Sequence, residues 1–347
     1  MRLIVLGTGA GGGCPQWNCG CQNCNFARNN PESARTTDSL AVAYEENGKT
    51  AWAIVNPGVD LRHQLARHGE LHPRKDGPVR DTPIKAVILT DAELDHTMGL
   101  INLREGSKLK VFATKAVLDL LDTRLPIKSI LKNYANLEFC RIVPGVPFFL
   151  GNTLKVESAE LSRRQPKYAD QSEQAVSASN TENDFSRSDK TAQSPDAVIA
   201  LRFESVDNSH DGIAYAPQIG VWNEAVVKII EGCDVLLLDG TFYTSDELRS
   251  MGVGVDAPSA EAMGHLPLKG AEGILAKLEN VKARIKLLTH INNSNPILRD
   301  NSPERQAVEN AGVKIAVDGM SVCSGASPAP PLSTELSTNE VRDKLCD

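Results

Sequence analysis

Three ionisable segments each follow a strongly apolar run. Asp91 to His96 follows Val87-Ile88-Leu89, Asp239 follows Val235 to Leu238, and His290 follows Leu287-Leu288-Thr289. Side chains at strand exits converge at one edge of a sheet in α/β folds, which place their sites there. Two histidines and two or three carboxylates can therefore meet at such an edge, and imidazole with carboxylate is a metal-binding and acid–base set.

A second group lies near the N-terminus. Cys14, Cys19, Cys21 and Cys24 stand at the spacing C-x4-C-x-C-x2-C. Four thiolates in one short loop suit tetrahedral Zn²⁺ in a structural site. An iron–sulfur cluster also takes four thiolates, and free or disulfide-paired cysteines are the plain alternative. The one-residue gap between Cys19 and Cys21 favours a compact single-metal knot. A shell of four thiolates leaves no open position, so this knot is not the catalytic site. Cys140, Cys233, Cys323 and Cys346 read as ordinary thiols.

The elements that must position these groups are legible in the pattern. Met1 to Leu6 reads as a strand entering the glycine loop Gly7 to Gly13. Ser39–Tyr44 and Thr50–Val55 read as a hairpin around Asn47-Gly48, a turn signal. Further strands are expected at Ile84–Leu89, Val111–Ala113, Val198–Phe203, Gly212–Ala216, Val235–Leu238 and Ile285–Leu288. Helices are expected at Leu61–Leu71, Lys115–Leu131, Glu224–Glu231 and Lys269–Leu278. Early hairpins followed by strand–helix alternation imply sheets layered with helices. A chain of 347 residues can bury a real core as one large layered domain, expected over residues 1–323. Between Arg163 and Ala197 the only aliphatic residue larger than alanine, prolines aside, is Val176. This polar stretch reads as a mobile insertion, either a tolerated surface loop or a lid. Residues 324–347 read as a loose tail.

Composition narrows the function. Against 37 basic residues stand 44 acidic ones, a net charge of −7, so no broad basic face attracts a nucleic acid. No stretch approaches the apolar length of a membrane span, and Met1 to Leu6 is too short for a signal peptide's apolar core. The chain reads as cytoplasmic, with neither nucleic acid nor membrane as a partner. The glycine run is not a dinucleotide fingerprint, because a cysteine knot follows it instead of a helix.

The motifs resemble the metallo-β-lactamase superfamily, above all its phosphodiesterase and tRNA 3′-processing branch. They are Leu6-Gly7-Thr8-Gly9, Asn56-Pro57-Gly58, Thr90-Asp91-Ala92-Glu93-Leu94-Asp95-His96, Leu236 to Thr241, Gly264-His265 and Leu288-Thr289-His290. The resemblance implies an αββα sandwich of two mixed sheets flanked by helices. It departs where the superfamily carries two leading histidines, here Asp91 and Glu93, and no histidine lies near Glu157 to Glu160. In the superfamily those residues hold one of two metals. The resemblance thus implies that the first site is gone and that the second, formed by Asp95, His96, Asp239 and His290, remains. Two imidazoles and carboxylate suit non-haem Fe(II) with open positions, and would also hold Zn²⁺.

Within the superfamily, the Thr90 to Leu100 motif together with the Cys14 to Cys24 pattern is similar to the family that serves synthesis of pyrroloquinoline quinone (PQQ). That similarity implies iron- and O₂-dependent hydroxylation of the tyrosine ring in a peptide-derived glutamate–tyrosine precursor, alongside other PQQ-pathway proteins. A soluble carrier of PQQ or its precursor toward the periplasm, and a zinc-dependent hydrolase, are the alternatives. His265 stands where the processing nucleases carry a general acid; here it would meet a phenolic oxygen, or it is a structural loop histidine. Asp91 and Glu93 read as groups that orient His96 or touch substrate. Arg163, Arg164 and Lys167 would meet an acidic substrate, or are plain surface charge. His63, His68 and His72 read as a solvated helix face, and His210 as part of a turn. The pattern leaves the oligomeric state open, a homodimer included.

Overall fold

The computed structural model describes residues 1–75, 77–105, 108–169 and 193–325. Residues 170–192 of the polar stretch, residues 326–347 of the tail and Cys346 lie outside that set.

Two sheets form the centre of the molecule. The first comprises β1 (Arg2–Gly7), β2 (Ser39–Glu46), β3 (Lys49–Val55), β4 (Ile84–Ile88), β5 (Leu109–Thr114), β6 (Leu137–Ile142) and β14 (Ser321–Cys323), in the order β14-β1-β2-β3-β4-β5-β6. The second comprises β7 (Phe148–Leu150), β8 (Leu154–Arg164), β9 (Gln193–Ser205), β10 (Asn208–Ala216), β11 (Val235–Asp239), β12 (Ile285–Thr289) and β13 (Lys314–Ile315), in the order β13-β12-β11-β10-β9-β8-β7. Each sheet is antiparallel on one side and parallel on the other, with β3 to β6 parallel in the first and β10 to β13 parallel in the second.

Burial on both faces explains the uninterrupted apolar runs. In β4, Ala86 and Ile88 face the opposing sheet, while Val87 packs with Leu120, Leu121 and Ile127 of the helices outside. In β11, Val235 and Leu237 face inward, and Leu236 and Leu238 pack against Val226, Ile229 and Ile274. The inter-sheet core joins Leu3, Val42 and Val55 to Phe203, Tyr215 and Leu287. Helices therefore cover both outer faces, as an αββα sandwich requires. No helix among the described residues is long and apolar enough to cross a membrane.

Several elements differ from the pattern reading. The expected helix Lys115–Leu131 is two, α4 (Lys115–Thr123) and α5 (Ile127–Leu131), because Pro126 interrupts the backbone ladder. Leu61–Leu71 is helical only over α2 (Leu61–Ala66), with a tight turn at Gly69–Leu71. Of Lys269–Leu278 only Ile274–Leu278 is helix, preceded by Gly270 at φ 108°. The turn placed around His210 falls instead at Val206 and Asp207, and the backbone of His210 belongs to β10. Strand pairing also runs further into the polar stretch than its composition suggests, since Arg164 pairs with Gln193 and Ser162 with Val198.

Two glycines let the β3 exit approach the next loop. A Cβ on Gly58 would overlap the Asp95 carbonyl oxygen and Thr37 Oγ1, and one on Gly99 would overlap the Gly58 and Pro57 carbonyls. The Gly99 N–H donates to Pro57 O at 2.8 Å, which locks this contact. Gly58→Ala is expected to lower unfolding free energy by about 1–3 kcal/mol through overpacking. Urea denaturation checks this; a midpoint equal to the unsubstituted protein would refute the tight approach.

Candidate metal centre

The parallel strands β3, β4, β11 and β12 all finish at one edge, and their exits carry the polar groups. At the β4 exit Asp91 Oδ1 accepts the Glu93 N–H at 2.9 Å, a local turn that lifts the chain off the sheet into the short helix α3 (Leu94–Thr97). That turn brings His96 back over Asp91, whose carboxylate takes His96 Nδ1 at 2.8 and 2.9 Å and the Thr90 hydroxyl at 2.7 Å. His96 is buried, and its Nε2 has no hydrogen-bond partner. Asp95 Oδ2 lies 3.8 Å from that nitrogen and 3.5 Å from His290 Nε2, and accepts the Gly11 N–H at 2.9 Å.

The β11 exit repeats the device. Asp239 Oδ1 accepts the Thr241 N–H at 2.9 Å, the same two-residue turn, and the Thr241 hydroxyl at 2.6 Å. Its Oδ2 accepts the Ile219 N–H and meets His265 Nδ1, both at 2.8 Å. Thr241 Oγ1 also lies 2.9 Å from His290 Nδ1. Asp95, His96 and His290 present one ligand atom each within 4.8 Å of one another, and so do Asp239, His265 and His290. The four residues that the resemblance groups, Asp95, His96, Asp239 and His290, thus divide with His265 between two trios that share His290. Asp239 faces His265 because hydrogen bonds occupy both of its oxygens.

The electrostatics follow from burial and pairing. Burial alone would push the Asp95 carboxyl up, but His96, His290 and the Gly11 N–H outweigh it and hold it far below the carboxylate range. Burial opposes charge on His96, yet Asp91 and Asp95 overcome it and push the imidazole up to about 10. The carboxylates that keep a proton on His96 would also attract a metal cation. The chemistry of Asp95, His96 and His290, with one imidazole nitrogen buried and unpartnered, fits a divalent metal.

Beneath this layer lie Asn56 and Thr289 of the sequence motifs, together with Asp38 and Tyr215, which pattern reading did not single out. Asp38 accepts hydroxyl hydrogen bonds from Tyr215 and Thr289, and burial raises its carboxyl. Asn56 donates to Thr90 Oγ1 at 2.8 Å and to Tyr215 at 3.2 Å. Asn56 and His290 hold φ of 51° and 53°, a region non-glycine residues occupy at a cost, typically where surroundings fix them.

A cavity of about 390 Å³ opens above His96, His265 and His290. Glu93, Arg164, Lys167, Tyr168 and Gln218 contribute to its walls. Burial first, then Asp91 and Asp95, push Glu93 up to about 7. Arg164 donates to the Ala262 carbonyl, whereas Arg163, its neighbour on the strand, points away and pairs with Glu160 at 3.0 Å. Strand alternation separates the two arginines. Gln218, Tyr168 and Asn292, also on the wall, were not singled out in the sequence.

The sulfurs of Cys19, Cys21 and Cys24 lie within 4.8 Å of one another. Cys14 is buried beside them, and burial raises its thiol while Cys24 opposes that by hydrogen bonding. Cys140 and Cys233 are free thiols, but Cys323 is disulfide-bonded, which corrects its reading as an ordinary thiol. His63 and His72 are exposed on and after α2.

Comparison with known proteins places this geometry. Residues 51–291 match the beta-lactamase superfamily domain. Coenzyme PQQ synthesis protein B of Klebsiella pneumoniae (strain 342) is 36% identical over 327 residues, covering 93% of this chain and 98% of that protein. Its counterpart in Methylococcus capsulatus is 34% identical over 331 residues, covering 93% and 99%. The crystal structure of Zn²⁺-bound PqqB from Methylobacterium extorquens aligns with a TM-score of 0.79 at 28% identity, over 93% of this chain and 99% of that one. A diphosphatase of the PhnP family shares the fold, with a TM-score of 0.61 at 20% identity over 93% and 99%. With two curated relatives above 30% identity along nearly their whole length, the chain belongs to the coenzyme PQQ synthesis protein B family of the β-lactamase superfamily.

Proposed function

We propose that this chain acts in PQQ biosynthesis, where it hydroxylates the tyrosine ring of a peptide-derived glutamate–tyrosine precursor with iron(II) and O₂. The observation that carries the reading is His96 Nε2, buried and unpartnered beside Asp95 and His290 while Asp91 holds the opposite ring nitrogen. Asp95, His96 and His290 would hold the ion, with Asp239 and His265 adjoining them through the shared His290. Bound Fe(II) would supply the one-electron chemistry that lets O₂ react with a closed-shell phenol. One oxygen atom enters the ring and the other leaves as water, so an external reductant must deliver two electrons.

The chain's own groups would do the rest. Asp91 fixes the His96 tautomer so that Nε2 faces inward. Asp239 holds His265 by Nδ1, which leaves Nε2 to accept or return the phenolic proton. Arg164 and Lys167 on the cavity wall would meet substrate carboxylates, and Glu93 and Gln218 a substrate ammonium or amide. A zinc-dependent hydrolase is the second reading, favoured by the zinc in the Methylobacterium extorquens relative.

Iron-loaded protein, prepared without oxygen and then given the precursor, reductant and O₂, is expected to add one oxygen atom to the tyrosine ring by mass spectrometry. An unaltered ring, with zinc-loaded protein turning over an ester or phosphodiester reporter, would put the hydrolase first; tight precursor binding with neither reaction would put a carrier first. Asp91→Asn is expected to weaken iron binding about 10–100-fold, as loss of a carboxylate behind a metal-bound histidine does, and His96→Ala to abolish it. Chelator competition followed by elemental analysis reads both; an unchanged metal content in His96→Ala would remove His96 from the centre.

A further inference from the structure

The cysteine cluster is remote from the reaction, yet its contacts lead back to the exit of β12. Asn293, buried and three residues beyond His290, donates from Nδ2 to Cys19 Sγ at 3.2 Å and Cys24 Sγ at 3.3 Å, with Cys21 Sγ at 3.8 Å. Its carbonyl accepts from Asn23 Nδ2 at 2.9 Å, and the same Asn23 amide reaches Asn295 O at 2.9 Å. One side-chain amide thus faces three sulfurs while its backbone is clamped by the helix that carries Cys24.

The segment between Asn293 and His290 has little slack. Ile291 donates to Thr8 O at 2.8 Å and accepts from the Ala10 N–H at 3.0 Å. His290 sits at φ 53°, a conformation that persists only where its surroundings over-determine it. The same glycine loop that grips Ile291 sends its Gly11 N–H to Asp95. Two routes therefore join the cysteine loop to two groups of the centre, one through Asn293 to His290 and one through Gly11 to Asp95.

We infer that Asn293 is a positioning residue that couples the cysteine cluster to the metal centre, so that the state of the Cys19, Cys21 and Cys24 sulfurs sets the affinity and geometry of the Asp95–His96–His290 site. The inference rests on the metal-binding part of the proposed function, with an ion at each cluster. Thiolates held around an ion are anionic acceptors, and an N–H bond to an anion is roughly twice as strong as one to a neutral group. Thiols without an ion are weak acceptors that compete as donors. Filling the cluster thus tightens the grip of Asn293 on the segment that carries His290, and by reciprocity an ion at the centre favours the filled cluster.

Cobalt(II) substitution of the full chain tests this without any turnover. Thiolate-to-cobalt charge-transfer bands report the cysteine cluster, and the visible ligand-field bands that differ between the unsubstituted chain and His96→Ala report the imidazole–carboxylate centre. Asn293→Ala is expected to keep the charge-transfer bands but to alter the ligand-field envelope of the centre and lower its cobalt affinity about tenfold, the scale for outer partners of metal ligands. Cys21→Ser should weaken the charge-transfer bands and change the centre in the same direction. Asn293→Ser, which keeps one donor, should fall between Asn293→Ala and the unsubstituted chain, and it carries the comparison if circular dichroism shows the alanine variant unfolded. A ligand-field envelope and affinity unchanged in the Asn293 variants would overturn the coupling alone. Absence of any ligand-field envelope from the centre in the unsubstituted chain would overturn the metal reading, and this inference with it.

Discussion

Four aspartates and three imidazoles crowd one edge of the sandwich, and the rest of the site answers to the cost of holding them there. A carboxylate withdrawn from water must be hydrogen-bonded or paired. Asp239 meets that demand with two backbone N–H groups, a hydroxyl and His265. Asp91 does so with Thr90, the Glu93 N–H and His96, and Asp38 with the Tyr215 and Thr289 hydroxyls. Among the described residues, Asp95 has only the Gly11 N–H and the flanking imidazoles. It is the carboxylate with capacity left, and it borders the one imidazole nitrogen in the centre that is buried and unpartnered. The surplus negative charge therefore accumulates where a cation can be shared.

The two halves of the fold solve the problem in the same way. In each sheet a parallel strand ends near an aspartate that accepts the N–H two residues on and then holds a histidine by Nδ1: Asp91 with His96, and Asp239 with His265. The turn and the tautomer are set by a single side chain, although His265 reaches its aspartate from 26 residues further along the chain. His290 differs, since its left-handed backbone is imposed by contacts on both sides, which include the glycine loop and Thr241.

Much of this was legible because burial on both faces leaves a clear imprint. Short apolar runs such as Val235 to Leu238, rich in branched residues, read as buried strands, and a charged residue at the end of such a run marks an exit. The alternation that separates Arg164 from Arg163 was equally available, but its phase is set by strand pairing across a polar stretch with no apolar pattern to fix it. The grouping of Asp239 with His265 rather than with His96 depends on side-chain hydrogen bonds between segments 26 residues apart, and spacing does not encode those. Asn293 was hidden for a similar reason: its partners lie more than 260 residues away, in the cysteine loop.

Replacing the leading histidine of the superfamily motif with Asp91 has a physical consequence beyond the loss of a ligand. A histidine there would point a nitrogen toward an ion, whereas Asp91 turns both oxygens inward, one shared with the Thr90 hydroxyl, the other with the Glu93 N–H, and both with His96. The same position that supplies one metal in a dinuclear site here holds His96 by Nδ1. Glu93, the second replacement, faces the cavity with its carboxyl pushed toward neutrality by burial and by its acidic neighbours. A two-metal clamp acts on both the entering and leaving oxygens of a displacement. On the proposed reading, an edge that spends one position on orientation and leaves the other as a near-neutral acid beside an open cavity would suit a single ion with free positions and a substrate held by its own polar groups.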